Sequence, residues 1–214
     1  LFGNAGNDQL MGGDGLDEIS GNDGDDYLDG EAGADMLFGD AGNDQIMGGS
    51  GDDWMEGNAG NDYMDGDADN DTMLGGDGND QIFGGEGDDH LQGDGGDDYL
   101  DGEEGDDILM GGDGNDQILG AEGNDALIGG KGNDVYFFGK GSGFDTIIGD
   151  GYGALDVIQL GPDITEDDIV IYRIWGDSSV SSEDIYLSII SSGEALKIQD
   201  AINMDGITKN AFGS

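Results

Sequence analysis

The chain has 214 residues, of which 51 are Asp or Glu and only 5 are Lys or Arg, so its formal net charge is −46. A chain this acidic cannot offset the charge of a phosphate backbone, which excludes a nucleic-acid-binding protein. Apolar residues make up only 35% of the chain, a balance that predicts either disorder or a fold completed by cations. There is no Cys, which excludes disulfides and thiolate metal sites.

The sequence has no apolar run near the ~18 residues of a membrane span. The N-terminus also lacks the charged and apolar pattern of a signal peptide. We therefore expect no membrane span, and we expect Leu1 to be a cut inside a longer chain.

A nine-residue repeat organises the first two thirds of the chain. The unit Gly-x-x-Gly-x-Asp-x-apolar-x begins at Gly3 and recurs fifteen times, without insertion or deletion, through Phe137. Its first position is always Gly, its fourth is Gly except at Asp69, and its eighth is Leu, Ile or Met until Tyr136. The sixth position is Asp in every unit: Asp8, Asp17, Asp26, Asp35, Asp44, Asp53, Asp62, Asp71, Asp80, Asp89, Asp98, Asp107, Asp116, Asp125 and Asp134.

The residue types of the unit predict a stack of loops and short strands. Gly at the first and fourth positions permits positive φ and close approach of neighbouring chains, so the first six residues are predicted to form a tight loop. The last three, such as Gln9, Leu10 and Met11, are predicted to form a very short strand with its middle side chain inward. One unit cannot bury its single apolar side chain, whereas stacked units bury a column of them, as in a solenoid.

The sixth-position Asp residues indicate that the stack needs cations. If two units form one turn, loops eighteen residues apart lie about 4.8 Å from each other, and the carboxylates align in two ladders. Neighbouring charges at that distance repel by roughly 3 to 4 kcal/mol at an effective dielectric constant of 20. We therefore expect the stack not to fold without metal. Carboxylate and carbonyl oxygens suit Ca²⁺, and one ion for each pair of neighbouring loops gives roughly 13 ions.

At these residues the sequence resembles the RTX, or haemolysin-type calcium-binding, repeat family, whose nonapeptide is Gly-Gly-x-Gly-x-Asp-x-apolar-x. The unit at 75–83 matches at every defined position, and the resemblance covers residues 1 to about 145. It implies an all-β fold, a right-handed parallel β-roll with Ca²⁺ held between adjacent loops by Asp carboxylates and backbone carbonyls. Two loops fit the family pattern least, because Asp69 replaces a loop Gly and Leu16 replaces the usual Asn or Asp before Asp17.

A second period, of 36 residues, lies inside the first. All its members belong to odd-numbered units, which places them on one outer face of the roll. The purely structural interpretation is a cross-strand ladder of side chains that covers the sheet. The alternative is an aromatic platform that binds a glycan or another surface. The members are Gln9, Gln45, Gln81 and Gln117, then Tyr27, Tyr63 and Tyr99, with their companions Asp29, Asp65 and Asp101.

After residues 1–137, the nine-residue register is lost. Residues 139–148 are predicted to form one degenerate, lengthened loop, in which Asp145 can still reach a cation. Residues 162–168 are predicted to form a turn or a short helix. Four segments have β-type patterns: 156–160, 169–175, 185–190 and 196–199. Residues 138–214 resemble the non-repetitive region that follows the repeats in many RTX proteins, and we interpret them as a β-rich cap that nucleates the roll.

The sequence predicts no catalytic site in this chain. Strictly periodic Asp residues indicate repeated ligation, whereas an active site needs one asymmetric arrangement. The single His90 has no Ser or Cys nucleophile placed beside it by the repeat.

The resemblance implies a calcium-binding module of a larger secreted or cell-surface protein. Such proteins are exported unfolded by bacterial type I secretion machinery and fold outside the cell as calcium binds. Two alternatives remain open. One is an accessory module that binds polysaccharide or a cell surface, and the other is a lipase, protease or epimerase whose catalytic domain precedes Leu1.

Overall fold

The computed structural model of the chain describes residues 1–148, 156–162, 164–165, 169–172, 185–189 and 195–199. Its described residues form 21 β-strands in two sheets and contain no helix. Accordingly, no helix long and apolar enough to cross a bilayer occurs in this part of the chain. Most of the turn or helix predicted at 162–168 lies outside the described residues.

The two sheets take alternate strands through the repeat region. The twelve-stranded sheet contains, in spatial order, β1 (Phe2–Ala5), β3 (Glu18–Asp23), β5 (Met36–Ala41), β7 (Trp54–Ala59), β9 (Thr72–Asp77), β11 (His90–Gly95), β13 (Ile108–Asp113), β15 (Ala126–Lys131), β17 (Phe144–Ile148), β21 (Ala195–Gln199), β20 (Ile185–Ile189) and β19 (Ile169–Tyr172). The nine-stranded sheet contains β18 (Val157–Leu160), β16 (Val135–Phe138), β14 (Gln117–Leu119), β12 (Tyr99–Glu104), β10 (Gln81–Glu86), β8 (Tyr63–Ala68), β6 (Gln45–Ser50), β4 (Tyr27–Ala32) and β2 (Gln9–Asp14).

Strands of the repeat pair in parallel with the strand eighteen residues away. Ile82 of β10 lies opposite Leu100 of β12, and Leu91 of β11 lies opposite Leu109 of β13. Two nine-residue units therefore make one turn, and the predicted all-β parallel β-roll is confirmed. The equal spacing also keeps each unit position in its own column along the roll.

The core is the column of eighth-position side chains between the two sheets. From Ile19 to Ile118 these Leu, Ile and Met side chains have no exposed surface at all. Tyr136 and Phe138 close the column at the last repeat, and Ile147, Ile164 and Leu196 pack against it. Each unit buries only one apolar side chain, so the roll is thin and gains its apolar burial from the stacking of turns.

The strands differ from the prediction in length. Most of them span six residues rather than three, because the ladder continues through the first three positions of the next unit, as in β6. Positive φ occurs at the second and fourth positions, for example at Asp67 (75°) and Gly87 (149°), and not at the first. The first-position glycines are required for a different reason, the close approach described below.

The end of the roll beyond the repeats is covered by further strands. In the twelve-stranded sheet β21 pairs with β17 in parallel, and β20 and β19 then add antiparallel strands. In the nine-stranded sheet β18 pairs with β16. Each of the four segments predicted to be β-type coincides with one of these added strands, β18 to β21, within a few residues at the ends.

Candidate metal centre

The fifteen sixth-position Asp residues lie in two hydrogen-bonded ladders, one along each edge of the roll. The backbone N–H of each Asp donates to Oδ1 of the Asp one turn later, as from Asp26 to Asp44 at 2.7 Å. One ladder contains Asp8, Asp26, Asp44, Asp62, Asp80, Asp98, Asp116 and Asp134. The other contains Asp17, Asp35, Asp53, Asp71, Asp89, Asp107 and Asp125.

Both ladders continue past the last repeat. The N–H of Asp125 donates to Oδ1 of Asp145 at 3.2 Å, so the lengthened loop places Asp145 where the next rung belongs. The N–H of Asp134 donates to Oδ1 of Asp156 at 3.1 Å. Asp156 was missed by the sequence reasoning, although Asp156, Val157 and Ile158 reproduce the Asp-x-apolar end of the unit. The shift of register hid that signal.

In most of the sixth-position Asp residues the second carboxylate oxygen, Oδ2, is buried and accepts no hydrogen bond. Burying a carboxylate oxygen without a donor or cation costs several kcal/mol, so a repeated set of such atoms indicates a positively charged partner. The atoms are Oδ2 of Asp8, Asp26, Asp35, Asp44, Asp53, Asp62, Asp71, Asp80, Asp89, Asp98, Asp107, Asp116 and Asp125.

The first-position glycines leave open the space that these oxygens face. A Cβ added at Gly30 would lie 2.6 Å from Asp35 Oδ2 and 2.5 Å from the carbonyl oxygen of Gly48, one turn later. A Cβ at Gly48 would likewise lie 2.6 Å from Asp53 Oδ2 and 2.9 Å from the Gly66 carbonyl oxygen. A carboxylate and a carbonyl of consecutive turns thus converge on one small space, which only Gly permits.

The donors around each space are all oxygens, which suits Ca²⁺. Among the described residues, no group of three His, Cys, Asp or Glu side chains forms a metal-binding cluster. A cation in these spaces must therefore take backbone carbonyl oxygens as well as Asp carboxylates. That division of donors agrees with the spacing of one Asp per loop.

Burial raises the pKa of the ladder carboxylates from Asp35 to Asp125. In the middle of the roll the pKa of Asp71 rises to about 8, and those of Asp80 and Asp107 to about 7. Desolvation is the largest cause, the hydrogen bond from the preceding turn opposes it, and the neighbouring carboxylates raise the pKa further. Without a cation these groups therefore retain protons near neutral pH.

The fifth-position residues form a further ladder beside each ladder of sixth-position Asp residues, and this fifth-position ladder was not predicted. Residues at the fifth position bond in the opposite direction, since the N–H of Asn61 donates to Oδ1 of Asn43 at 2.9 Å and that of Asn79 to Oδ1 of Asn61 at 2.8 Å. The sequence carried a signal for it, because the fifth position is Asn or Asp in all units except those of Leu16 and Ala34. Neither of these side chains can accept such a bond.

The two loops that fit the repeat least keep their place in the roll. Leu16 is 81% exposed, and the N–H of the following Asp17 still donates to Asp35 Oδ1 at 2.7 Å. Asp69 adopts a φ of 77°, a left-handed conformation that Asp tolerates better than most residues. Both departures therefore alter the loop surface rather than the carboxylate ladder.

The residues of the 36-residue period lie on the outer face of the nine-stranded sheet. Tyr27, Tyr63 and Tyr99 begin β4, β8 and β12, and the Gln residues begin the strands between them. Each Tyr hydroxyl donates to the Asp two residues later, over 3.1 Å at Asp29 and 3.0 Å at Asp101. The face is thus a regular alternation of Tyr and Gln, backed by carboxylates.

Comparison with known families identifies the repeat. The model of the RTX calcium-binding nonapeptide repeat, which describes four copies of the unit, matches residues 2–37, 38–73, 74–109, 101–136 and 110–144. The matched residues include all fifteen sixth-position Asp residues and most of the chain. A search of curated proteins found no significant match.

Proposed function

Because this chain belongs to the family of RTX calcium-binding nonapeptide repeats, we propose that its calcium-binding solenoid acts as a folding switch, unfolded at low calcium and folded at high calcium. The observation that carries the proposal is the row of buried Oδ2 atoms that accept no hydrogen bond. Their charge opposes stacking, and cation binding turns the same atoms into links between turns.

In this proposal the cation ligands are the fifteen sixth-position Asp residues, Asp145 and Asp156, together with loop carbonyl oxygens. Oδ1 of Asp35 accepts the N–H of Asp17 in the preceding turn. This bond fixes the carboxylate and leaves Oδ2 directed at the space beside Gly30. Bound Ca²⁺ supplies the positive charge that these oxygens need. One ion per pair of neighbouring loops gives roughly 13 ions within the fifteen repeats, and roughly 15 when the loops of Asp145 and Asp156 are included.

The switch suits a protein that is made in one calcium concentration and works in another. Extracellular calcium modules bind at roughly 10⁻⁴ to 10⁻³ M, far above cytosolic concentrations. The chain would stay unfolded inside the cell, pass through type I secretion machinery in that state, and fold at the cell surface or in the medium. Its net charge of −46 favours the unfolded chain until calcium binds.

We further propose that the chain has two regions, repeats at 1–137 and a C-terminal cap at 138–214. Support comes from β18 and β21, which pair with the last strands of the two sheets and cover their edges. The cap would fold first, and the roll would grow from it towards the N-terminus. A variant truncated after Phe137 should then need more calcium to fold, and equal folding in both chains would contradict the order.

The outer face supplies the observation that favours a second function, binding of a polysaccharide or cell surface. Its regular Tyr residues are only partly buried. Replacing Tyr27, Tyr63 and Tyr99 with Ala should abolish glycan binding if this function is real, and unchanged binding would remove it. A catalytic domain elsewhere in a longer protein stays a prediction.

The direct test of the proposed function is to count the bound ions. Equilibrium dialysis against radioactive calcium at ~10 mM, above the range of extracellular modules, should give roughly 13 to 15 ions per chain. Magnesium at the same concentration should give few, because it dehydrates reluctantly and demands a stricter geometry. A count of one or two calcium ions would contradict the ladders as ligands.

A further inference from the structure

The last repeat unit holds a Tyr at the eighth position, where the other fourteen units hold Leu, Ile or Met. Tyr136 lies in β16 opposite Ile118 of β14 and is only 4% exposed, so its ring belongs to the core column. Burying a hydroxyl among apolar side chains costs free energy unless its oxygen reaches a polar group. The place of that oxygen therefore decides what Tyr136 adds to the column.

The hydroxyl oxygen of Tyr136 lies beside the first-position glycine and the Asp of its own unit. A Cβ added at Gly129 would lie 2.6 Å from this oxygen and closer still to Oδ2 of Asp134. The aromatic ring is long enough to carry an oxygen from the core column to the loop. Two oxygens, one from a carboxylate and one from a hydroxyl, thus converge on the space beside Gly129.

The spaces inside the roll have the same arrangement of oxygens. Each first-position glycine from Gly3 to Gly111 faces Oδ2 of its own unit's Asp and a carbonyl oxygen of the following turn. A Cβ added at Gly111 would lie 2.6 Å from the Gly129 carbonyl oxygen and closer still to Asp116 Oδ2. The Tyr136 hydroxyl oxygen therefore stands to Gly129 at the distance at which a carbonyl oxygen stands to Gly111.

The chemistry of a Tyr hydroxyl fits the role that this position gives it. Ca²⁺ takes roughly 6 to 8 oxygen ligands and accepts neutral oxygens, such as those of carbonyls and water, beside carboxylates. A hydroxyl has two acceptor lone pairs as well as one proton, so its oxygen can bind a cation while the proton is donated. The space beside Gly129 thus offers a cation the same two kinds of oxygen as the interior spaces.

We propose that the Tyr136 hydroxyl oxygen is a ligand of the cation that Asp134 binds, an inference that rests on the proposed calcium-binding function. Tyr136 is then a side-chain ligand outside the sixth-position ladders. Its proposed partners, the Asp134 carboxylate and the open space at Gly129, belong to the same nine-residue unit. In the interior spaces the two oxygens come from two turns, as with Asp116 and Gly129.

The chain offers a matched control for the loss of a Tyr hydroxyl. The Tyr99 hydroxyl lies on the outer face of the roll and donates to Asp101 Oδ2 over 3.0 Å. Tyr136→Phe and Tyr99→Phe each remove one hydroxyl near a carboxylate and keep the ring. Only Tyr136→Phe changes the surroundings of a ladder carboxylate, so a difference between the two variants reports the cation and not the general loss of a hydroxyl.

The experiment measures the calcium midpoint of folding by circular dichroism and counts bound ions by equilibrium dialysis at ~1 mM calcium, within the range of extracellular modules. Tyr136→Phe should raise the midpoint and lower the count by about one ion. In a chain that already carries Asp134→Asn, the same change should add little, because both substitutions act on one ion. Tyr99→Phe should leave the midpoint and the count unchanged.

Equal effects of Tyr136→Phe with and without Asp134→Asn would overturn the inference, because the hydroxyl would then stabilise the fold independently of the ion. An unchanged ion count with a lower free energy of unfolding in urea would also overturn it, since the hydroxyl would then donate a hydrogen bond where we place a cation. Both results leave calcium-dependent folding of the natural chain intact. They therefore differ from a failure of the proposed function, in which that chain would fold without calcium.

A second measurement decides the case if Tyr136→Phe does not fold. Terbium ions bound in place of calcium emit light when a Tyr ring close to the ion passes them its excitation energy. Asp134→Asn should lower this Tyr-sensitised emission more than Asp44→Asn, which removes a charge from the same ladder beside Gln45. Equal emission from these two variants would overturn the inference.

Discussion

The backbone N–H of Asp62 donates to Oδ1 of Asp80, one turn further along the roll, over 2.8 Å. One position earlier in each unit the direction reverses, because the N–H of Asn79 donates back to Oδ1 of Asn61. Consecutive turns are therefore bonded in both directions at the same loop. Oδ2 of Asp80 is buried and accepts no hydrogen bond, which leaves it available to bind a cation.

Asp80→Asn should raise the calcium concentration at the folding midpoint and lower the number of bound ions by one or two. The amide keeps an acceptor for the Asp62 N–H but loses the charge that binds the cation. Calcium-dependent circular dichroism and equilibrium dialysis measure both effects. Asp77→Asn, at an exposed third position, is the control and should leave both values unchanged. Equal shifts in the two variants would show that only net charge matters.

Gly30→Ala should destabilise the calcium-bound roll by about 1–3 kcal/mol, the usual cost of overpacking. The new Cβ would lie 2.5 Å from the Gly48 carbonyl oxygen and 2.6 Å from Asp35 Oδ2, two oxygens that we propose as cation ligands. Gly95→Ala is the control, because the nearest atoms to a Cβ there are 3.8 Å away. Urea unfolding in saturating calcium compares them, and equal stability of the two variants would contradict the proposed cation space.

The calcium-free chain should have more β structure in acid than at neutral or alkaline pH. The folded-state pKa values of Asp71, Asp80 and Asp107, at about 8, 7 and 7, lie above the ordinary value of 3.8. A raised folded-state pKa gives stability that is fully present below the unfolded pKa and is lost as the pH rises through the folded pKa. In chelator, any β signal at pH ~4 should therefore weaken progressively as the pH rises and should be lost by pH ~8.

The proposed ligands predict that calcium displaces protons in acid. The calcium midpoint should fall as the pH rises from about 4 to 6, because over this interval the unfolded chain loses the protons that compete with calcium. Titration at pH ~4.5 in weakly buffered solution should show proton release on calcium addition. A midpoint independent of pH across this interval would mean that the ladder carboxylates do not bind the ion.

Changes at the fifth position should alter stability in opposite directions. Asn61→Ala removes the acceptor of the Asn79 N–H and should cost about 1 kcal/mol. Ala34→Asn should restore the side-chain acceptor that the fifth-position ladder lacks at this residue, and it should stabilise the roll by a smaller amount. Urea unfolding in calcium measures both, and a neutral effect of Asn61→Ala would contradict a stabilising role for this ladder.

The sequence was sufficient to predict the period, the two ladders and the inward column, because each follows from one residue type that recurs every nine residues. It could not reveal that each carboxylate divides its two oxygens between a neighbouring N–H and an open space, as Asp35 does. Asp156 was hidden because the spacing to Asp134 is 22 residues and not eighteen.

Far-UV circular dichroism of the whole chain, titrated from chelator to ~10 mM calcium with magnesium as control, tests most directly whether the roll folds by binding calcium. We expect a disordered spectrum in chelator at pH ~7.5 and a steep change to a β spectrum with calcium but not with magnesium. A full β spectrum already present in chelator at that pH would show that the carboxylate ladders are stable without metal, and the folding switch would have to be abandoned.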